Sequence, residues 1–230
     1  MCGIHATISK TTPPLLSPHL RACLENRGPD HIGQLAARTS GSEDADATFL
    51  TFTSTVLALR GDHLTKQPLI HPQAGSALCW NGEAWKIGGI PVEGNDAQAI
   101  LDLLFEASAS TAGDVQAVLD VLLSIQGPFA FVYFDKPARK VYYGRDRLGR
   151  RSLLALHSQD GSSLALSSIA DTADSRWEEV DADGVYVLDL APEAAGTGAV
   201  SLLPPARHLY KRMANAPEDF VSAWQFLDAR

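Results

Sequence analysis

Cysteine is scarce. The 230 residues hold three, Cys2, Cys23 and Cys79, with no CxxC pair and no even number to close a disulfide framework. A reducing compartment, cytosol or nucleus, is the expected setting. No apolar run is long enough to cross a bilayer. The first residues, MCGIHATISK, lack the basic segment and long apolar stretch of a secretory signal. Basic charge is in deficit: 19 Lys and Arg stand against 27 Asp and Glu, a net charge of -8. That balance argues against nucleic acid or an anionic membrane as the main partner. No internal repeat is visible, and no metal site is expected.

What is present suits a globular domain. Hydrophobic residues make up 45% and charged residues 20%, enough for a sizeable core without disulfides. Residues 3–9 read as a strand. Ser17-Pro18 reads as a helix start, with Leu20, Cys23 and Leu24 on one face and Arg27-Gly28-Pro29 as the stop. Residues 39–47 read as a polar loop and 48–60 as a strand. Ala77 to Asn81 reads as a strand running into a turn at Asn81-Gly82. Asn95 or Asp96 can cap a helix whose Ile100, Leu103, Leu104 and Ala107 recur at helical spacing. A second helix carries Val115, Val118, Leu119 and Leu122. Strands follow at Phe129–Phe134, Val141–Tyr143, Leu153–Leu156, Leu164–Ser167 and Gly184–Leu190. Clustered strands and helices predict an α+β architecture, antiparallel sheet with helices layered on it. The shift to Ala, Pro, Gly and Thr after Leu190 marks the expected domain edge.

Four features can carry chemistry. Initiator Met is commonly removed before a residue as small as Cys2. A terminal Cys then holds a thiol and, on the same residue, an α-amine whose reference pKa of ≈ 7.7–8.0 lets it act as a base. The bland reading is a small buried apolar residue. Asn81-Gly82-Glu83, at a strand end, can aim a side-chain amide and a backbone N–H at one spot, or form an ordinary turn. Arg60 and Asp96 suit the carboxylate and ammonium of a free amino acid, or are a solvated strand end and a helix cap. Arg145-Asp146-Arg147 fits either a surface turn or an ion network bracing a pocket.

Taken together these pieces resemble one family. Met1-Cys2-Gly3-Ile4, Arg27-Gly28-Pro29-Asp30, Arg60, Gln67-Pro68-Leu69, Trp80-Asn81-Gly82-Glu83, Asn95-Asp96, Gly127-Pro128-Phe129-Ala130-Phe131 and Gly144-Arg145-Asp146-Arg147 occur in the order of class II glutamine amidotransferases. The likeness is to the glutaminase domain of the asparagine synthetase type and covers residues 2–190. Leu59-Arg60-Gly61 with Gln67-Pro68, and Gly149 to Leu154, most resemble asparagine synthetase domain-containing proteins, a divergent branch.

The resemblance implies the four-layer αββα sandwich of N-terminal-nucleophile hydrolases. It implies that Cys2 attacks the side-chain amide of L-glutamine, that Asn81 and the Gly82 N–H hold the oxyanion, and that ammonia leaves a γ-glutamyl thioester. Arg60 would hold the substrate carboxylate, Asp96 its ammonium, and Glu83 would share in substrate binding. No cofactor is expected in this chain. ATP and Mg would belong to a synthetase domain, a separate partner or a missing one, that uses the ammonia to amidate aspartate. That domain needs an SGG-x-D phosphate loop, which this sequence lacks. Residues 191–230 are expected to be a tail or linker toward it. The Gly61-Lys66 stretch is shorter than in mainstream asparagine synthetases, and Ala84-Trp85 replaces the usual Ile-Tyr. Two competing readings are a retired amidotransferase fold serving as a binding or glutamine-sensing module, and an N-terminal-nucleophile hydrolase acting on another amide.

Overall fold

The structure, a computed structural model, describes residues 1–12, 16–39, 47–58, 64–110, 114–172, 174–191, 202 and 204–210. The chain opens with β1 (Gly3–Ser9), α1 (Pro18–Arg27), β2 (His31–Arg38), β3 (Phe49–Val56), β4 (Leu69–Ile70) and β5 (Ala77–Gly82). A small hairpin, β6 (Lys86–Ile87) and β7 (Ile90–Pro91), leads to α2 (Asp96–Ser110) and α3 (Val115–Ser124). Then come β8 (Ile125–Gln126), β9 (Phe129–Asp135), β10 (Lys140–Arg145), β11 (Leu154–His157) and β12 (Ser163–Ser167). The last elements are β13 (Glu178–Glu179), β14 (Gly184–Asp189) and β15 (Ala206–Leu209).

Two antiparallel sheets form from these strands. One runs β13-β11-β12-β1-β3-β2 and the other β15-β14-β10-β9-β5-β4. Side chains alternate across a strand, so β1 turns Ile4, Ala6 and Ile8 toward the second sheet. There they meet Phe52 of β3, Ala77 and Cys79 of β5, and Val132 and Phe134 of β9 in one buried core. The other face of the second sheet presents Leu78, Trp80, Phe131 and Tyr142. It is covered by Ile100, Leu101 and Leu104 of α2 and Val118, Leu119 and Leu122 of α3. Helix α1 lies on the outer face of the first sheet, where the Leu24 side chain reaches Gly3 of β1. The layers are therefore helix, sheet, sheet, helices, as the resemblance implies.

All seven residues of β9 are buried because both of its faces are covered. That is why FAFVYFD reads as a continuous apolar run and not as an alternation. The helices start where the sequence says. The Ser17 hydroxyl accepts the Leu20 N–H at 3.1 Å, with Pro18 at the first position, and Asn95 Oδ1 accepts the Gln98 N–H at 3.1 Å. Gly28 ends α1, and a Cβ there would stand 2.5 Å from the backbone of Thr55.

Five expectations need correction. Strand β3 stops at Val56, not at residue 60, because Ala58 gives its N–H to the Asp30 carboxylate at 2.8 Å instead of to a strand; residues 59–60 lie outside the described residues. Asn81-Gly82 is no turn: both residues stay in β5, opposite Ala130 and Phe129. Leu103 is 36% exposed, and Leu101 takes its place on the buried face of α2. Strand β2 was not expected at all; it pairs along β3 from His31 to Arg38 at the sheet edge, half exposed. The 39–47 loop lies mostly outside the described residues, as only 39 and 47 are seen. Residues 206–209, in the expected tail, pair with β14 as an edge strand.

The outer face of the first sheet buries an uncharged histidine. His5 shares a 3.2 Å hydrogen bond with Thr7 Oγ1, and its Nδ1 has no partner among the described residues. Burial pulls its pKa down to about 4. The unfolded chain binds this proton near pH 6.5, so between those values only the unfolded state is protonated. Stability should thus be full above pH 6.5 and fall by roughly 3 kcal/mol as pH drops toward 4. Denaturant titrations of the parent and His5→Gln over that window should show a shallower acid loss in the variant. Parallel curves would assign the acid loss to other groups.

Candidate active site

The two sheets place two strand ends side by side. β1 begins at Gly3 in one sheet and β5 ends at Gly82 in the other, so Cys2 and Asn81 open onto the same mouth of the sandwich. Both line one cavity of about 90 Å³, together with Met1, Gly82, Glu83 and Asp96. Gln67, Trp80 and Arg151 complete the parts of its wall that bear on chemistry. The structure thus gathers every expected site residue except Arg60, which lies outside the described residues.

Cys2 is half-buried, with Sγ 3.9 Å from the Leu57 carbonyl. Cys79, by contrast, is fully buried in the inter-sheet core, where burial pushes its thiol up to about 12. Cys23 sits beside His19 on α1, its Sγ 3.7 Å from the ring Nε2.

Asn81 is 1% exposed, yet its amide Nδ2 has no hydrogen-bond partner among the described residues. A buried donor left unmade costs about 1–3 kcal/mol. The neighbouring backbone points the same way. Trp80 gives its N–H to Gln67 Oε1 at 2.8 Å, away from β9, while Glu83 gives its N–H to Pro128 O at 2.9 Å, toward β9. N–H groups alternate sides along a strand. The Gly82 N–H therefore points away from β9, toward the edge that the two-residue β4 does not reach. A side chain at 82 has no room, since a Cβ would lie 2.4 Å from Pro128 O.

Asp96 is not the cap of α2; Asn95 is. Its buried carboxylate is fixed through one oxygen. Oδ2 accepts from the Trp80 indole Nε1 at 3.1 Å and from the Ala84 N–H at 2.7 Å. No bond to Oδ1 is made among the described residues, and Asp96 lines the cavity. The Trp80 ring is itself held by stacking on Phe129, 5.1 Å between centroids.

Arg145-Asp146 is a buried network and not a surface turn. Arg145 donates to the carbonyls of Arg151 (2.7 Å) and Val180 (3.1 Å) and pairs with Glu179 at 2.6 Å. Asp146 accepts from the N–H groups of Phe129, Leu148 and Arg150. This network fixes the loop that carries Arg151 to the cavity. Neither Arg151 nor Gln67 had an assigned role in the sequence reading. The Gln-Pro pair was a usable signal for Gln67; for Arg151 the signal was its place in the Gly149–Leu154 segment of the resemblance, which gave it no role. Arg27 of the Arg-Gly-Pro-Asp motif stands behind Cys2, donating to Ser168 O at 3.0 Å and to Ser152 Oγ at 3.3 Å. Burial, then the Arg151 charge, pull its pKa down, and Cys2 opposes them.

Residues 1–190 match the glutamine amidotransferase domain family. Asparagine synthetase domain-containing protein 1 from Bos taurus is 32% identical over 90% of this chain, and that from Homo sapiens 32% over 100%. A Drosophila melanogaster asparagine synthetase domain-containing protein is 28% identical over 73% of it. The chain spans only about a third of these relatives, 31%, 34% and 28% of their lengths. Among solved structures, the glutamine phosphoribosylpyrophosphate amidotransferase of B. subtilis superposes with a TM-score of 0.62 at 13% identity, covering 91% of this chain and 49% of that one. An allosteric regulatory enzyme of purine biosynthesis gives 0.59 at 14%, over 81% and 47%. The described fold is that of these amidotransferases, and with its family match over residues 1–190 the chain belongs to the class II glutamine amidotransferase domain family.

Proposed function

We propose that this chain hydrolyses L-glutamine to glutamate and ammonia through a thioester on Cys2. The observation that carries the reading is the buried, unpartnered amide of Asn81 in the cavity that holds Cys2. With Met1 removed, the Cys2 amine takes the thiol proton and the sulfur attacks the substrate's δ-carbon, the side-chain amide carbon. The oxyanion then receives the Asn81 amide and the Gly82 N–H, which need no reorganisation to meet it. The proton passes to the leaving nitrogen, ammonia departs, and water hydrolyses the thioester. Asp96 Oδ1 takes the substrate ammonium, Glu83 borders the same end, and Arg60 takes the carboxylate. The ammonia passes to a synthetase domain or subunit that uses ATP and Mg. The setting proposed is cytoplasmic. The residues present need no cofactor for hydrolysis itself. A retired binding module is the weaker reading, since such a module gains nothing from a donor held buried and unmade.

Protein confirmed free of Met1 by mass should release ammonia from glutamine, and Cys2→Ala should abolish this. Cys23→Ala and Cys79→Ala should keep most of it. An active Cys2→Ala protein refutes the covalent route.

Asn81→Ala should lower kcat by roughly 10²–10³. A change confined to KM assigns Asn81 to ground-state binding instead. Asp96→Asn keeps shape but removes the charge, and should weaken glutamine binding by about 2–5 kcal/mol. Calorimetry on the Cys2→Ala background measures this directly, and unchanged affinity there removes Asp96 from the substrate site.

A further inference from the structure

One guanidinium, that of Arg151, lines the wall beside Cys2, and a second, that of Arg27, lies behind that residue within reach of its charge. Among the described residues neither arginine forms a salt bridge. Three of their nitrogens, Arg27 Nε, Arg27 Nη2 and Arg151 Nε, are buried without a hydrogen-bond partner. Arg27 also lies close enough to Arg151 to feel its charge. Like charges held together with their donors unmade gain most from an anion. Both are tethered: the Arg151 carbonyl is held by Arg145 Nε at 2.7 Å, and Arg27 Nη1 is tied to Ser168 O at 3.0 Å.

Met1 partly occupies this place. Its sulfur lies 3.1 Å from Arg151 Nη1, a weak acceptor against a full cation. Removal of Met1 therefore frees a further donor and opens the space between the arginines and Cys2 Sγ.

We propose that Arg151, backed by Arg27, forms a carboxylate subsite beside Cys2, opened by removal of Met1. Its occupant is the side-chain carboxylate of the product glutamate. This rests on the glutaminase reading. Glutamine brings a neutral amide to Cys2. Hydrolysis of the thioester breaks the C–S bond, returns a proton to sulfur, and leaves a carboxylate where the amide was. The subsite thus distinguishes product from substrate by charge and retains glutamate after turnover. On the far side, Asp96 keeps the amino end of either molecule in place.

The test is alkylation of Cys2 by iodoacetamide in the Met1-free full chain, followed by mass of the N-terminal peptide. Sodium glutamate, sodium acetate and glutamine are titrated separately at constant ionic strength. Glutamate and acetate should both slow alkylation. Arg151→Gln should raise the concentration of each needed for half-protection by about tenfold, while Arg151→Lys, a charge without the planar fork, should fall between. The ratio of glutamate to glutamine protection should fall in Arg151→Gln. Acetate protection that depends on Arg151, without protection by glutamate or glutamine, supports the anion subsite and overturns the glutaminase reading. Glutamine protection alone, or carboxylate protection unchanged in Arg151→Gln, overturns the subsite and leaves that reading standing. No protection by any of the three overturns both.

Discussion

The carboxylate of Asp146 is 3% exposed and accepts hydrogen bonds at both oxygens. Oδ2 takes the N–H groups of Phe129 and Arg150, each at 3.1 Å; Oδ1 takes the Leu148 N–H at 3.1 Å and Arg150 Nε at 2.9 Å. A buried carboxylate with fewer partners would cost several kcal/mol. Here its bonds tie the start of β9 to the loop after β10. β9 in turn sets the end of β5, because Gly82 lies opposite Phe129 and Asn81 opposite Ala130. Arg145 holds the other end of the same loop through Arg151 O and Gly149 O. One ion network therefore sets both the strand end that carries Asn81 and the loop that carries Arg151 to the same cavity. The candidate site residues sit on strand ends, but their relative placement depends on this loop.

Much of the fold was legible because strong local signals agreed with burial. Ser17-Pro18 and Gly28 bound α1 because capping chemistry is decided within a few residues. The continuous apolar stretch from Phe129 to Phe134 read as a strand, and the structure covers both of its faces. β2 was illegible for the opposite reason: HIGQLAAR has weak alternation, and its strand state comes from pairing with β3 at an edge. Leu103 and Leu101 exchanged places because both fit a helical stripe, and only the position of the second sheet decides which is covered. At Asn81-Gly82 a strong turn preference lost to strand pairing. Gly82 serves there for close backbone approach, not for a positive φ.

The site was legible in a different way. Cys2, the run Asn81-Gly82-Glu83, and Asp96 are separated in sequence, and no periodicity joins them; their order as motifs did. What motifs could not show is how each residue is held. Asp96 was open to reading as a cap, yet Asn95 caps the helix, and the Trp80 indole and Ala84 N–H fix Asp96 through one oxygen. Arg145-Asp146-Arg147 was undecidable from sequence, because charge alternation looks the same on a surface turn and in a buried network. Arg151 lay within the resembling segment Gly149–Leu154, but nothing there assigned it to the cavity. Its place depends on a loop whose shape is set by bonds to residues five and six positions earlier.

Two clusters of unsatisfied groups differ in kind. At the far end of β9 and β10, Tyr133 Oη, Tyr142 Oη and Asp135 Oδ2 are also buried without partners among the described residues. Hydroxyls donate and accept, and a carboxylate accepts, so that set can be satisfied among hydroxyls and water. Their phenols are pushed up by burial first and by the Asp135 charge next, so they remain protonated and able to donate. At the mouth the groups are of one kind: the Asn81 amide and the Arg27 and Arg151 nitrogens all donate. Donors alone cannot satisfy one another, and only electron-rich partners meet them. In the proposed reaction a carbonyl oxygen gaining charge during attack would meet Asn81, and a newly formed carboxylate would meet the arginines. A buried donor left unmade costs the folded chain about 1–3 kcal/mol, which ligand charge beside Cys2 would return.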